Sequence, residues 1–95
     1  MTITERNQLI VLHMDLAKKI ALTYSRKISC VDKDELVSAA YFGLVDAAEK
    51  YKFSKSDNFA AYAVIRIIGA IKDYLRELAW GSRQNPVQMV NYDHF

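Results

Sequence analysis

Apolar residues return at three- and four-residue intervals through most of this chain, which is the period of an amphipathic α-helix rather than of a strand. The first such stretch covers residues 4–27. Leu9, His13, Leu16, Ile20 and Tyr24 form its stripe, with Ala17, Ala21 and Ile28 beside them. Lys18, Lys19, Arg26 and Lys27 gather in its second half, where cations suit the negative end of the helix dipole. A second helix is expected after Asp32, running to about residue 50. Asp32 and Glu35 have the spacing of a capping box, with Asp in place of the usual Ser or Thr. Leu36, Val37, Ala40, Tyr41, Leu44, Ala47, Ala48 and Tyr51 form its buried side. Gly43 interrupts that side at a cost of about 1 kcal/mol relative to Ala, and so marks a close approach by a neighbouring helix.

Residues 52–58 break the period with Ser54, Ser56, Asp57 and Asn58, all turn or cap formers. A third helix is predicted over 59–80. Its core stripe reads Phe59, Tyr62, Ala63, Ile67, Ala70, Ile71, Tyr74, Leu75 and Leu78, and Gly81 serves as its stop. Opposite that stripe lie Ala61, Ile65, Ile68, Lys72 and Arg76. This second face is apolar in its first half and basic in its second. Two explanations stand at this point. Another helix covers the isoleucines, or the face meets a partner that is partly apolar and partly anionic, as single-stranded DNA is. The aromatics Phe59, Tyr62, Tyr74 and Trp80, interleaved with Arg66, Lys72, Arg76 and Arg83, fit either core packing or base stacking.

Composition narrows the class. The chain has 95 residues, 52% of them apolar and 25% charged, with only three Gly and one Pro. That describes one folded domain of long helices, an all-α bundle of three helices with room for a short fourth. Residues 1–86 form the domain and 87–95 an extended tail or the start of a following region. Cys30 is the single cysteine, so no internal disulfide can form. No apolar run reaches the ~18 residues of a membrane span, and a cytoplasmic location without membrane association is expected. His13 and His94 lack partners at metal-ligand spacing, so no metal or other cofactor is expected. Nor is there a nucleophile–base pair or phosphate loop to support an enzyme. Net charge is only +2, but it is uneven. Residues 1–30 carry +3, residues 31–60 carry −2 and residues 61–95 carry +1. An acidic middle between basic ends fits separate surfaces for separate partners, or simply solvated helix faces.

The stretch DELVSAAYFGLVDAAEKYKFSKSDNFAAYAVIRIIGAIKDYLRELAW resembles region 2 of bacterial RNA polymerase sigma factors, above all those of the flagellar and sporulation type. Asp34, Glu35, Leu36, Gly43 and Leu44 match the first block of that pattern. Phe59, Tyr62, Ala63, Arg66, Ile67, Gly69, Ala70, Ile71, Asp73, Leu75, Arg76 and Trp80 match the second. The resemblance implies two tasks. The second helix would dock on the clamp helices of the polymerase β′ subunit through Asp34, Glu35, Ser38, Ala39 and Phe42. The third would recognise the −10 promoter element and hold the melted non-template strand through Phe59, Tyr62, Ile65, Arg66, Ile68, Lys72, Arg76, Trp80 and Arg83. Tyr62 is the platform the resemblance implies for a flipped adenine. An anti-sigma factor is a further partner that it implies.

Several positions depart from the pattern. Ser38 and Ala39 stand where the family carries Gln and a polar or acidic residue, and Ala40 replaces a common Gly. Ile68 replaces an Arg, and Gly81 and Ser82 replace Val and Pro. Residues 83–89 resemble the R-x-P-V-x-M start of the next region in primary sigma factors, with one residue extra. The helix-turn-helix domain of a typical sigma factor has no counterpart before Phe95. The chain therefore reads as the N-terminal fragment of a longer factor or as a stand-alone region. A promoter-reading sigma domain is the leading function. A region-2-like module that binds polymerase or an anti-sigma factor without reading DNA is the alternative.

Overall fold

The structure is a computed structural model that describes residues 2–28, 30–53 and 57–81. Among them are three helices, α1 (Ile3–Lys27), α2 (Lys33–Lys50) and α3 (Phe59–Gly81), and no strand. The short extra element that the sequence left room for is a single 3-10 turn, Tyr51–Phe53, continuing α2. The tail expected after residue 81 lies outside the described residues. No described helix is long and apolar enough to cross a membrane.

Each helix start has a visible cause. Thr2 caps α1: its hydroxyl accepts from the Glu5 N–H at 3.1 Å, while the Glu5 carboxylate accepts from the Thr2 N–H at 3.4 Å. This is a complete capping box, and it begins α1 one residue earlier than the apolar period implies. Asp32 caps α2 by accepting from the Asp34 N–H at 2.8 Å. The return half of the box expected from Glu35 is not made, because Glu35 turns toward α3 and accepts from the Tyr74 hydroxyl instead. Asn58 caps α3, its side-chain oxygen accepting from the Ala61 N–H at 3.2 Å.

α2 is the central element, packed along its length against both α1 and α3, which barely touch each other. Leu36, Leu44, Ile67 and Ile71 are the largest fully buried side chains. Around them Ala17, Ala21, Ala40, Ala47, Ala48 and Ala63 are fully buried as well, and such small residues allow close helix approach. The approach is tightest at Gly43. A Cβ there would lie 2.8 Å from the Ala70 Cβ, 2.8 Å from the Ile67 Cα and 2.9 Å from the Arg66 carbonyl oxygen. The close neighbour expected from the sequence is the backbone of α3.

The buried side of α3 differs from the predicted stripe at its end. It steps by four through Phe59, Ala63, Ile67, Ile71, Leu75 and Ala79, whereas Leu78 is 38% exposed. A row stepping by four follows a ridge inclined to the helix axis. The buried side therefore swings around α3, and by the last turn it has passed from position 78 to position 79.

Candidate functional site

The α2–α3 pair carries both surfaces named from the sequence. On α2, Glu35, Ser38, Phe42, Val45 and Glu49 recur at spacings of three and four, so they lie along one outward face. Asp34 is exposed beside them, and Ala39 is half-buried. Phe42 is 73% exposed, a large apolar side chain without cover, and Val45 extends the patch. Sequence reasoning missed Val45, although its position one turn beyond Phe42 was the signal.

On α3, Ile65 is 70% exposed, so neither α1 nor α2 covers it. Ile68 and Lys72 are half-buried and Arg76 is exposed, which leaves the mixed apolar and basic face on the surface. Lys72 has no ion-pair partner among the described residues. Arg76 donates to Asp73 at 2.8 Å along its own helix. Trp80 falls in the last turn of α3, and Arg83 lies outside the described residues.

Two members of the predicted strand-binding set are placed differently. Phe59 is only 7% exposed. Its ring meets His13 edge-on at a centroid distance of 4.9 Å and Tyr51 at 5.1 Å. It is a core residue joining α1, the 3-10 turn and α3, with no ring face left for a base. Tyr62 is the outer member of this cluster, tilted against Tyr51 at 5.8 Å and half-buried. Arg66 is not a free cation. Its Nε donates to Asp46 Oδ2 at 3.0 Å, and Nη2 donates to the same oxygen. Lys50 Nζ lies 3.0 Å from the other Asp46 oxygen. The Arg66 hydrogen bond, reinforced by Lys50 and opposed by partial burial, holds the Asp46 carboxyl below its usual range. The same bond raises the Arg66 guanidinium. Asp46 and Lys50 have the i,i+4 spacing of a helical ion pair. Asp46 and Arg66, however, are 20 residues apart, and no local pattern announces their contact.

The two surfaces are not separate. Phe42 and Ala39 of α2 face Ile65, Arg66 and Tyr74 of α3 across one groove of about 760 Å³. At one end the groove holds the Asp46–Arg66 pair. At the other, the Tyr74 hydroxyl donates to Glu35 Oε2. Burial, then the hydrogen bond to Glu35, pushes the Tyr74 phenol up to about 12.

The chain matches the family described as Sigma-70 region 2 over residues 9–81. It is 38% identical over 79 residues to the RNA polymerase sigma factor FliA of Pseudomonas aeruginosa, covering 82% of this chain and 32% of that protein. It is 48% identical over 50 residues to the RNA polymerase sigma-D factor of Bacillus subtilis, covering 53% of this chain and 20% of that protein. It is 29% identical over 76 residues to the RNA polymerase sigma-B factor of Bacillus anthracis, covering 80% of this chain and 29% of that protein. The chain thus spans about a third or less of the length of these relatives. No solved structure gives a significant match. With the three helices, their spacing and the family match in agreement, this chain belongs to the sigma-70 region 2 family.

Proposed function

We propose that this chain is the part of a sigma factor that docks on RNA polymerase core and engages the −10 promoter element. The observation that carries the reading is the exposed face of α3, where Ile65, Ile68, Lys72 and Arg76 run from apolar to basic in a chain of this family. Flat bases offer apolar surface and phosphates offer charge, so an opened strand complements both halves of that face. The exposed row of α2, acidic at Glu35 and apolar at Phe42, is the docking surface. A basic helix of the β′ clamp would meet it with complementary charge.

Promoter opening by such a domain needs no catalysis. The duplex and opened states exchange, and a protein that binds the opened strand better shifts the balance by its differential affinity. Tyr62 supplies the partly exposed ring for an unstacked base, a contact of about 1–3 kcal/mol. Ile65 and Ile68 extend the apolar surface, and Lys72, without an ion-pair partner among the described residues, is available for phosphate. Phe59 packs in the core against Tyr51, which in turn meets Tyr62, and Arg66 braces α3 against α2.

The second reading, a module that binds polymerase or an anti-sigma factor without reading DNA, gains support from the ion pairs. With Arg66 held by Asp46 and Arg76 by Asp73, α3 presents little unpaired positive charge. Tyr62→Leu separates the two, because it keeps apolar bulk against Tyr51 and removes the stacking ring. A strand reader should lose about 1–3 kcal/mol in capture of a −10 oligonucleotide by the polymerase complex while keeping its affinity for core. Unchanged capture would favour the non-reading module.

A further inference from the structure

Two side chains of α3 reach across the groove to acids of α2, and they do different things to those acids. Arg66 brings a full positive charge to Asp46, and Lys50 brings a second. Tyr74 brings a neutral hydroxyl to Glu35. A phenol donor satisfies one lone pair of a carboxylate without cancelling its charge, and an ionised carboxylate has about four acceptor sites over its two oxygens. Glu35 therefore keeps its negative charge and its Oε1, while its side chain is tied to a neighbouring helix.

We infer that Tyr74 is a positioning residue for docking, its hydroxyl holding the Glu35 carboxylate in the orientation that receives a lysine or arginine of the polymerase core. The inference rests on the docking surface proposed above. An exposed glutamate on a helix samples many rotamers, and fixing it on binding costs about 0.5–1.5 kcal/mol. A glutamate already held loses less. The tyrosine is suited to the task because its ring packs against the core and is half-buried, so its hydroxyl has little freedom of its own. Like any phenol it keeps its proton and is a donor at neutral pH, and burial moves its titration further up, to about 12. Asp32, whose charge also acts on Tyr74, is occupied as the helix cap, and Asp73 accepts from Arg76.

The test is a double-mutant cycle on the full 95-residue chain, read as affinity for bacterial RNA polymerase core, with thermal melting to verify folding. Tyr74→Phe removes the hydroxyl and keeps the ring. It is expected to weaken binding about three- to tenfold, the range of one hydrogen bond, and to have no effect when Glu35 is already Ala. Weakening by Tyr74→Phe to the same degree in both backgrounds would assign the tyrosine a merely structural role and overturn the proposal. Tighter binding of Tyr74→Phe would mean that the phenol competes with the partner, which also overturns it. A loss with Glu35→Ala but none with Tyr74→Phe would overturn the positioning role and leave the docking surface standing. No loss with Glu35→Ala would remove the docking surface at Glu35, and the positioning role with it.

Discussion

Asp46 and Glu35 are both acids of α2 held by α3, and the contrast between them sets a charge neutralised within the fold apart from the charge proposed for docking. Asp46 is surrounded by Arg66 and Lys50, its charge cancelled and its titration pulled down by the guanidinium. Such a carboxylate is a strut and has little left to offer a partner. Glu35 is held by a neutral hydroxyl at the other end of the groove, so its charge stays available. The same distinction sorts the cations. Arg66 is spent on the fold, whereas Lys72 remains unpaired among the described residues.

The contrast can be broken most forcefully at the place that lets α3 reach both acids. Gly43→Ala would put a methyl 2.8 Å from α3 backbone, and overpacking of that kind costs up to about 3 kcal/mol. Chemical denaturation should show the loss, and wild-type stability in this variant would contradict the close approach. Exchanging the two acids comes next. Glu35→Lys is expected to cost about 2 kcal/mol in polymerase binding with little change in stability. Asp46→Ala should do the reverse. It leaves a partly exposed guanidinium unpaired, at about 1 kcal/mol of stability once solvent screening is allowed for, and leaves core affinity alone. Equal behaviour of the two variants in both measurements would erase the distinction.

Titration separates the two ends more gently. Asp46 has a folded-state titration below its unfolded one, so its contribution is present above the ordinary carboxylate range and fades as pH falls through the lowered value. Tyr74 is raised, so its contribution is complete below the ordinary phenol value and is lost as pH rises through about 12. Stability of Asp46→Asn should therefore fall less steeply in acid than that of the parent, and stability of Tyr74→Phe less steeply in strong alkali. The smallest effect is expected at Gly69, where a Cβ would meet nothing within 4 Å. Gly69→Ala should gain up to about 1 kcal/mol from helix propensity, opposite in sign to Gly43→Ala.

Much of this is legible in the sequence. The i, i+4 rows Leu36–Ala40–Leu44–Ala48 and Ala63–Ile67–Ile71–Leu75 announce the core because burial follows the helical period. Gly43 announces the tight contact because it falls among the apolar positions of the buried side of α2, which Gly69 of α3, with nothing within 4 Å of its missing Cβ, does not match. The Thr2–Glu5 capping box has the T-x-x-E signature, but it precedes the first apolar residue of the stripe, so the apolar period alone does not reveal it. What the sequence does not encode locally is which charges neutralise each other. Arg66 reads as a strand-tracking cation until Asp46, 20 residues away, is found beside it. Glu35 reads as half of a capping box until Tyr74, 39 residues away, claims it. Phe59 fits both a core and a stacking role by spacing, and only the rings of His13 and Tyr51 decide.

The central claim, that α2 docks on polymerase while α3 captures the opened strand, is tested most directly by one titration. The chain is titrated with RNA polymerase core in the absence and presence of a single-stranded −10 non-template oligonucleotide. Binding to core that tightens when the oligonucleotide is added is the expected result, because docking and capture are then coupled through one domain. Core affinity that the oligonucleotide leaves unchanged, or no affinity for core at all, would contradict it.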